Sequence, residues 1–375
     1  MERFAFIIHP LSAEDFTRKF AFTRRLPARW VENVFRLVPP FRVSHITGVR
    51  STTGAEAEGW FIGLPLTPRT LFESDLRFVY RRLLQCARLS ERLGARILGL
   101  GAFTAIVGDA GVTLSASAEI AVTTGNSYTA ATGVEGALLA AHRMGIALEE
   151  AKAVVVGATG SIGAVCSRML AKRLPALTLV ARSSDRLDRL REVIRSESMA
   201  EVTVSTDVRR AVADADIVLT VSSATDVLIE PDDLKPGSVV CDVARPRNVS
   251  RAVHERRGDV LVIDGSVIEP PGSVDFGFNF GLPPGLCDAC MAETMMLALD
   301  GRYTSFTLGR EITLEQVEEI AALGRRHGFR LAGFRRFERA IPDEEVERIR
   351  QRAGRGAAQP GDEVVRPRTA PTPGL

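Results

Sequence analysis

Long apolar runs are absent from this chain. In 375 residues none approaches the roughly 18 that a membrane-crossing helix needs, and the first ten carry Glu2, Arg3 and His9 where a secretory leader would be apolar. Cysteine is scarce as well. Cys86, Cys166, Cys241, Cys287 and Cys290 form an odd, scattered set, which argues against a disulfide framework. No second C-x-x-C accompanies Cys287-Asp288-Ala289-Cys290, so a four-cysteine zinc site is disfavoured, and no two of the five histidines have metal-ligand spacing along a helix. Charge is close to balance at +2, with no RNA- or DNA-binding pattern. These absences predict a cytoplasmic protein with reduced thiols, no transmembrane segment, no nucleic-acid partner and no assignable metal ligands.

What is present is ordinary globular composition, 45% hydrophobic and 25% charged, in a chain long enough for two domains. Residues 1–148 mix short apolar strands such as Phe4 to Ile8 with helical stretches such as Ser74 to Leu93, and read as an N-terminal α/β substrate domain. From Ala151, strands near 153–156, 177–181, 201–204, 217–221, 238–242 and 260–263 alternate with helical segments. That alternation predicts a Rossmann-like doubly wound parallel sheet, an α/β domain over 149–272. A helical segment follows over 273–354, and the Pro-, Gly- and Ala-rich stretch 355–375 reads as a disordered tail. Three arginine clusters stand out: Arg24, Arg25 and Arg29; Arg81, Arg82, Arg88, Arg92 and Arg96; and the stretch from Arg325 to Arg355. They read as solvated helix faces, with docking of an acidic partner as the alternative.

The most specific pattern is Val154-Val155-Val156 followed by Gly157-Ala158-Thr159-Gly160-Ser161-Ile162-Gly163, a strand, a glycine turn and a helix start. Three glycines spaced G-x-x-G-x-x-G let the backbone turn sharply, approach a pyrophosphate and aim helix N–H groups at it. About 20 residues further on, where a NAD site has Asp or Glu for the ribose hydroxyl, stand Arg182 and Ser183. A guanidinium suits a 2′-phosphate, so NADP(H) is the expected cofactor. Ser222 and Ser223, Asp242, and Gly265 follow the fourth, fifth and sixth strands and are expected beside the nicotinamide, or as simple caps of turns and helices.

Cys290 is the candidate nucleophile. The Pro283-Pro284-Gly285 joint predicts a helix from Leu286 to Asp300 with Cys287 and Cys290 in its first turns, where free N–H groups favour a thiolate. Cysteine beside a hydride donor points to thioester or aldehyde chemistry. A small buried hydrophobe, or a redox or half-metal C-x-x-C, explains the same residues. Thr123, Thr124 and Asn126 in Thr123-Thr124-Gly125-Asn126-Ser127 offer donors for a carbonyl oxygen gaining negative charge, or an N-cap without a catalytic task.

With these segments in place, the sequence resembles the aldehyde-forming long-chain acyl-[acyl-carrier-protein] reductases of cyanobacterial type. The likeness runs through Leu98-Gly99-Leu100-Gly101-Ala102-Phe103-Thr104, the stretch from Thr123 to Ala130, the glycine turn, Ala289-Cys290-Met291-Ala292-Glu293, Leu308-Gly309-Arg310 and His327-Gly328-Phe329. The resemblance implies that Cys290 accepts a fatty acyl group from acyl carrier protein or coenzyme A, that NADPH reduces the thioester to a fatty aldehyde, and that an aldehyde-consuming enzyme follows. It also implies stimulation by Mg2+, for which no carboxylate cluster can be assigned. Cys287 departs from the family pattern, and a regulatory Cys287–Cys290 disulfide is a hypothesis it raises. Two alternatives stay open: a shikimate-dehydrogenase-like NADP(H) oxidoreductase acting through a Lys/Asp pair on a polar acid, and a non-catalytic NADPH-binding redox sensor.

Overall fold

In the computed structural model, which describes all residues except 13, 17–25, 225–226, 245–246, 338 and 357–375, the alternation read from Ala151 onward folds as a parallel sheet. Arg24 and Arg25, and the tail from 357, lie outside the described residues. The chain divides into two units, one of Met1–Ala130 with Pro270–Phe329, the other of Ala131–Glu269 with Arg330–Leu375.

The second unit holds six parallel strands in the order Leu261–Asp264, Val239–Asp242, Ile217–Thr220, Lys152–Val156, Ala176–Val180 and Glu201–Ser205. Numbered along the chain this is 6-5-4-1-2-3, the doubly wound Rossmann order. Most of its strands are continuous apolar runs because helices cover both faces of such a sheet. Val154, Val156, Val218, Val240 and Val262 share one buried cluster. The order reverses between Lys152–Val156 and Ile217–Thr220, the switch point at which sheets of this kind bind their ligand.

The first unit is a mixed six-stranded sheet, ordered Gly272–Asp275, Phe41–Arg50, Glu56–Gly63, Glu2–Ile8, Ile97–Gly99 and Ala121–Thr123. The last four strands run parallel, and the first two pair antiparallel. Phe4, Ala5, Phe6 and Ile7 are all buried, which marks Glu2–Ile8 as a central strand covered on both faces. The helix Ala289–Leu299 packs on Glu2–Ile8 and Ile97–Gly99. A Cβ on Gly99 would come within 2.1 Å of Thr294 Oγ1, so glycine permits that approach. Every residue of this helix is buried except Cys290.

That helix starts three residues later than the sequence spacing suggests. Gly285, at φ +78°, completes a turn in which Leu286 N–H donates to Pro283 O, and Cys287–Asp288 stays extended. Asp288 occupies the N-cap position, so Cys290 is the second helical residue and Cys287 lies outside the helix.

Candidate active site

Thr124 and Gly125 make the turn between the strand Ala121–Thr123 and the helix Asn126–Arg143. Gly125 has φ +75°, and a Cβ there would stand 2.3 Å from both the Cα and the Cβ of Cys290 and 2.7 Å from its carbonyl oxygen. Glycine is the residue that fits, and it brings the turn backbone against the candidate nucleophile. Cys290 is half-buried, whereas the other four cysteines are buried.

Glu293, one turn further along the same helix, fastens this turn in place. It is fully buried. Thr123 Oγ1 donates to its Oε1 at 2.5 Å, Thr307 Oγ1 lies 2.8 Å from the same oxygen, and the Tyr128 N–H donates to Oε2 at 2.9 Å. Thr307 Oγ1 is also 2.8 Å from Ser127 Oγ, so the five residues share one network. Burial pushes the Glu293 carboxyl above the usual carboxylate range, while the hydrogen bonds it accepts act in the opposite sense.

The network consumes the Thr123 hydroxyl. Thr124 Oγ1 and Asn126 Nδ2, on either side of Gly125, are buried with no hydrogen-bond partner among the described residues. Leaving a buried polar group unsatisfied costs about 1–3 kcal/mol, and a catalytic role is one of the reasons a folded protein keeps such a group. The Cys290 thiol is pushed up by burial first and then by Asp288, with Glu293 adding to it. It rests protonated at neutral pH. Proximity to a helix N-terminus is here outweighed by burial, with the acidic Asp288 at the N-cap acting in the same direction. Met295, Met296 and Leu297 are buried in the core.

In the second unit the glycine turn has the steric form of a dinucleotide cradle. Gly157, at φ +87°, has no room for a Cβ, which would meet the Ser222 backbone nitrogen at 2.8 Å. A Cβ on Gly163 would stand 2.2 Å from Gly157 O, so the helix Ser161–Ala171 is seated tightly on the turn. Gly160 is the N-cap, and Gly157 and Ala158 donate to Val180 O at 2.8 and 3.0 Å. A close backbone turn ending in a helix N-terminus fits a pyrophosphate. Thr159, Ser161 and Ile162 complete it at half-exposed positions, with Ala158 buried beneath.

Arg182 follows the strand Ala176–Val180, exposed and without an ion pair among the described residues, and Ser183 is the N-cap of Ser184–Glu197. Arg186, which sequence reasoning passed over, sends Nη2 to Thr159 O at 2.5 Å and so places a second guanidinium at the turn. Its signal was its place in the first turn of the helix that follows Arg182, close in sequence to the position that reads the ribose. Ser222 N–H donates to Asn248 Oδ1 at 3.1 Å, and Ser223 is exposed. The buried Asp242 carboxylate is occupied by the N–H groups of Ala244, Asn248 and Val249. Gly265 leaves space for Cys241, whose Sγ would lie 2.3 Å from a Cβ there. Among the described residues no three His, Cys, Asp or Glu side chains gather as a metal site, and no helix is long and apolar enough to cross a membrane.

Residues 138–264 match the family model described as shikimate / quinate 5-dehydrogenase. The chain is 32% identical over 340 residues to aminotransferase PigE of a Serratia species, covering 87% of this chain but 39% of that longer protein. It is 31% identical over 307 residues to the long-chain acyl-[acyl-carrier-protein] reductase of Synechococcus elongatus, covering 78% of this chain and 87% of the relative. A shorter match, 39% identical over 121 residues, covers 30% of this chain and 24% of glutamyl-tRNA reductase from Salinibacter ruber.

Proposed function

The chain belongs to the long-chain acyl-[acyl-carrier-protein] reductase family, and from that footing we propose that it reduces fatty acyl thioesters to fatty aldehydes with NADPH. At the coarser level it is an NAD(P)-dependent oxidoreductase with a Rossmann-type nucleotide unit. The observation that carries the proposal is the Gly125 turn against Cys290, flanked by the orphaned Thr124 Oγ1 and Asn126 Nδ2. Two relatives named for acyl-[acyl-carrier-protein] and for glutamyl-tRNA support a carrier-linked acyl group as substrate.

The glycine turn from Gly157 to Gly163 would hold the pyrophosphate, and Arg182 with Arg186 would hold the 2′-phosphate. A cofactor held there would supply hydride to the carbonyl carbon of the Cys290 thioester, the oxygen then taking a proton from solvent to give the neutral thiohemiacetal. Cys290 first exchanges with the substrate: its sulfur bonds the acyl carbon, the carrier sulfur leaves, and the Cys290 proton passes to the departing thiolate. That exchange is proton-neutral, which suits a thiol that burial keeps protonated. Thr124 Oγ1 and Asn126 Nδ2 donate to the acyl oxygen as it becomes negative. Collapse of the thiohemiacetal frees the aldehyde and returns the Cys290 thiol.

The test is NADPH consumption with long-chain acyl-coenzyme A and acyl carrier protein thioesters, in wild type and Cys290→Ser. Turnover that disappears in the variant while NADPH binding persists is the expected result. Undiminished turnover in Cys290→Ser would move the reading to a dehydrogenase acting on a polar acid, and NADPH binding without turnover in wild type to a redox sensor.

A further inference from the structure

We propose that the first unit carries a docking face for an anionic lipid surface, formed by the helix Ala28–Phe35 and an arginine row on the helix Leu76–Arg92. This inference stands apart from the enzymatic reading and is tested without turnover.

The short helix has two faces. Val31 and Phe35 point inward, where Phe35 stacks on Phe16 at 4.1 Å, and the buried Glu32 accepts from Thr67 Oγ1 at 2.8 Å and pairs with Arg69. The opposite side displays large apolar groups: Trp30 is 69% exposed, Val34 55% and Leu37, in the turn that follows, 76%. Their spacing of four and three puts them in one stripe. Single exposed apolar residues are unremarkable, but three aligned ones anchored by a buried opposite face form an insertion wedge.

The second helix is tied to this stripe. Arg82 donates to Arg36 O at 2.7 Å and to Leu37 O at 3.0 Å, and the Arg36 and Arg82 guanidinium groups both lie over the Phe78 ring. Arg77, Arg81, Arg88 and Arg92 are exposed along the same helix. At the helical repeat they fall within an arc of about 60°. None of the four is paired with a carboxylate among the described residues, and Arg29 beside Trp30 is likewise unpaired. A row of cations without counter-charges, next to an aromatic and aliphatic wedge, is complementary to acidic headgroups over acyl chains. A second copy of the chain fits less well, because a two-fold contact through this patch would set the arginine rows against each other.

The experiment is flotation with vesicles of phosphatidylcholine alone and of phosphatidylcholine mixed with phosphatidylglycerol. The chain has two tryptophans, and Trp60 is buried, so Trp30 reports insertion by fluorescence. Wild type is expected to float with the anionic vesicles, to shift its emission to the blue, and to be released by salt. Trp30→Ser should abolish the shift. Each replacement among Arg77→Gln, Arg81→Gln and Arg88→Gln should lower partitioning about fivefold. Thermal unfolding of these exposed-site variants should match wild type, which separates lost docking from lost folding. The proposal is overturned if wild type binds neither vesicle or both equally, or if the variants float like wild type. It is also overturned if an acidic carrier protein or a second copy occupies the Trp30 face while vesicles do not.

Discussion

Gly125 and Cys290 are locked together by sterics: any side chain at 125 would stand 2.3 Å from the Cα and Cβ of the cysteine. Because Gly125 is also at φ +75°, Gly125→Ala combines left-handed strain with overpacking. We expect a loss of roughly 2–4 kcal/mol of stability. Thermal unfolding measures it, and an unchanged midpoint would count against the contact.

Thr124→Val removes a hydroxyl that has no partner among the described residues. Stability should stay level or rise, since a buried orphan is replaced by a methyl group. If the hydroxyl holds the acyl oxygen, kcat should fall about a hundredfold or more. A variant both stable and fully active would remove Thr124 from the site.

Glu293→Ala leaves Thr123 Oγ1 and the Tyr128 N–H without their acceptor, while Thr307 Oγ1 keeps Ser127 Oγ, a loss of roughly 2 kcal/mol or more. The pH dependence has a definite sign. Burial raises the Glu293 carboxyl in the folded state, so its contribution to stability is full below the unfolded carboxyl value and is lost as pH rises through the folded one. Denaturant titrations from acid to neutral pH should show that decline in wild type and a flatter profile in Glu293→Ala.

Arg182→Asp and Arg186→Asp should each weaken NADPH far more than NADH, because a 2′-phosphate would face a like charge. Binding titrations with both cofactors decide it. Equal weakening of the two would place these arginines away from the ribose.

The nucleotide unit was legible because parallel strands buried on both faces write continuous apolar runs. Its six strands lie within a residue or so of the segments read from the sequence. The glycines of the turn were legible for the same reason they are needed, since Gly157 and Gly163 have no room for a Cβ. Glu293 was not. A charged residue inside an otherwise apolar helix gives no periodic signal of its own, and its partners Thr123, Tyr128 and Thr307 come from segments up to 170 residues distant. The late helix start at Ala289 was hidden too, because Pro283-Pro284-Gly285 marks a turn but not how many extended residues follow it. Asp242 had the right position at a strand end for a cofactor neighbour, yet its carboxylate binds the backbone of its own loop.

The most direct measurement is mass spectrometry of the protein incubated with a long-chain acyl thioester before NADPH is added. The account predicts one acyl group on the peptide that carries Cys290, lost with release of fatty aldehyde when NADPH is supplied. Aldehyde formation with that cysteine never acylated, or an acyl group carried on another residue, would contradict it.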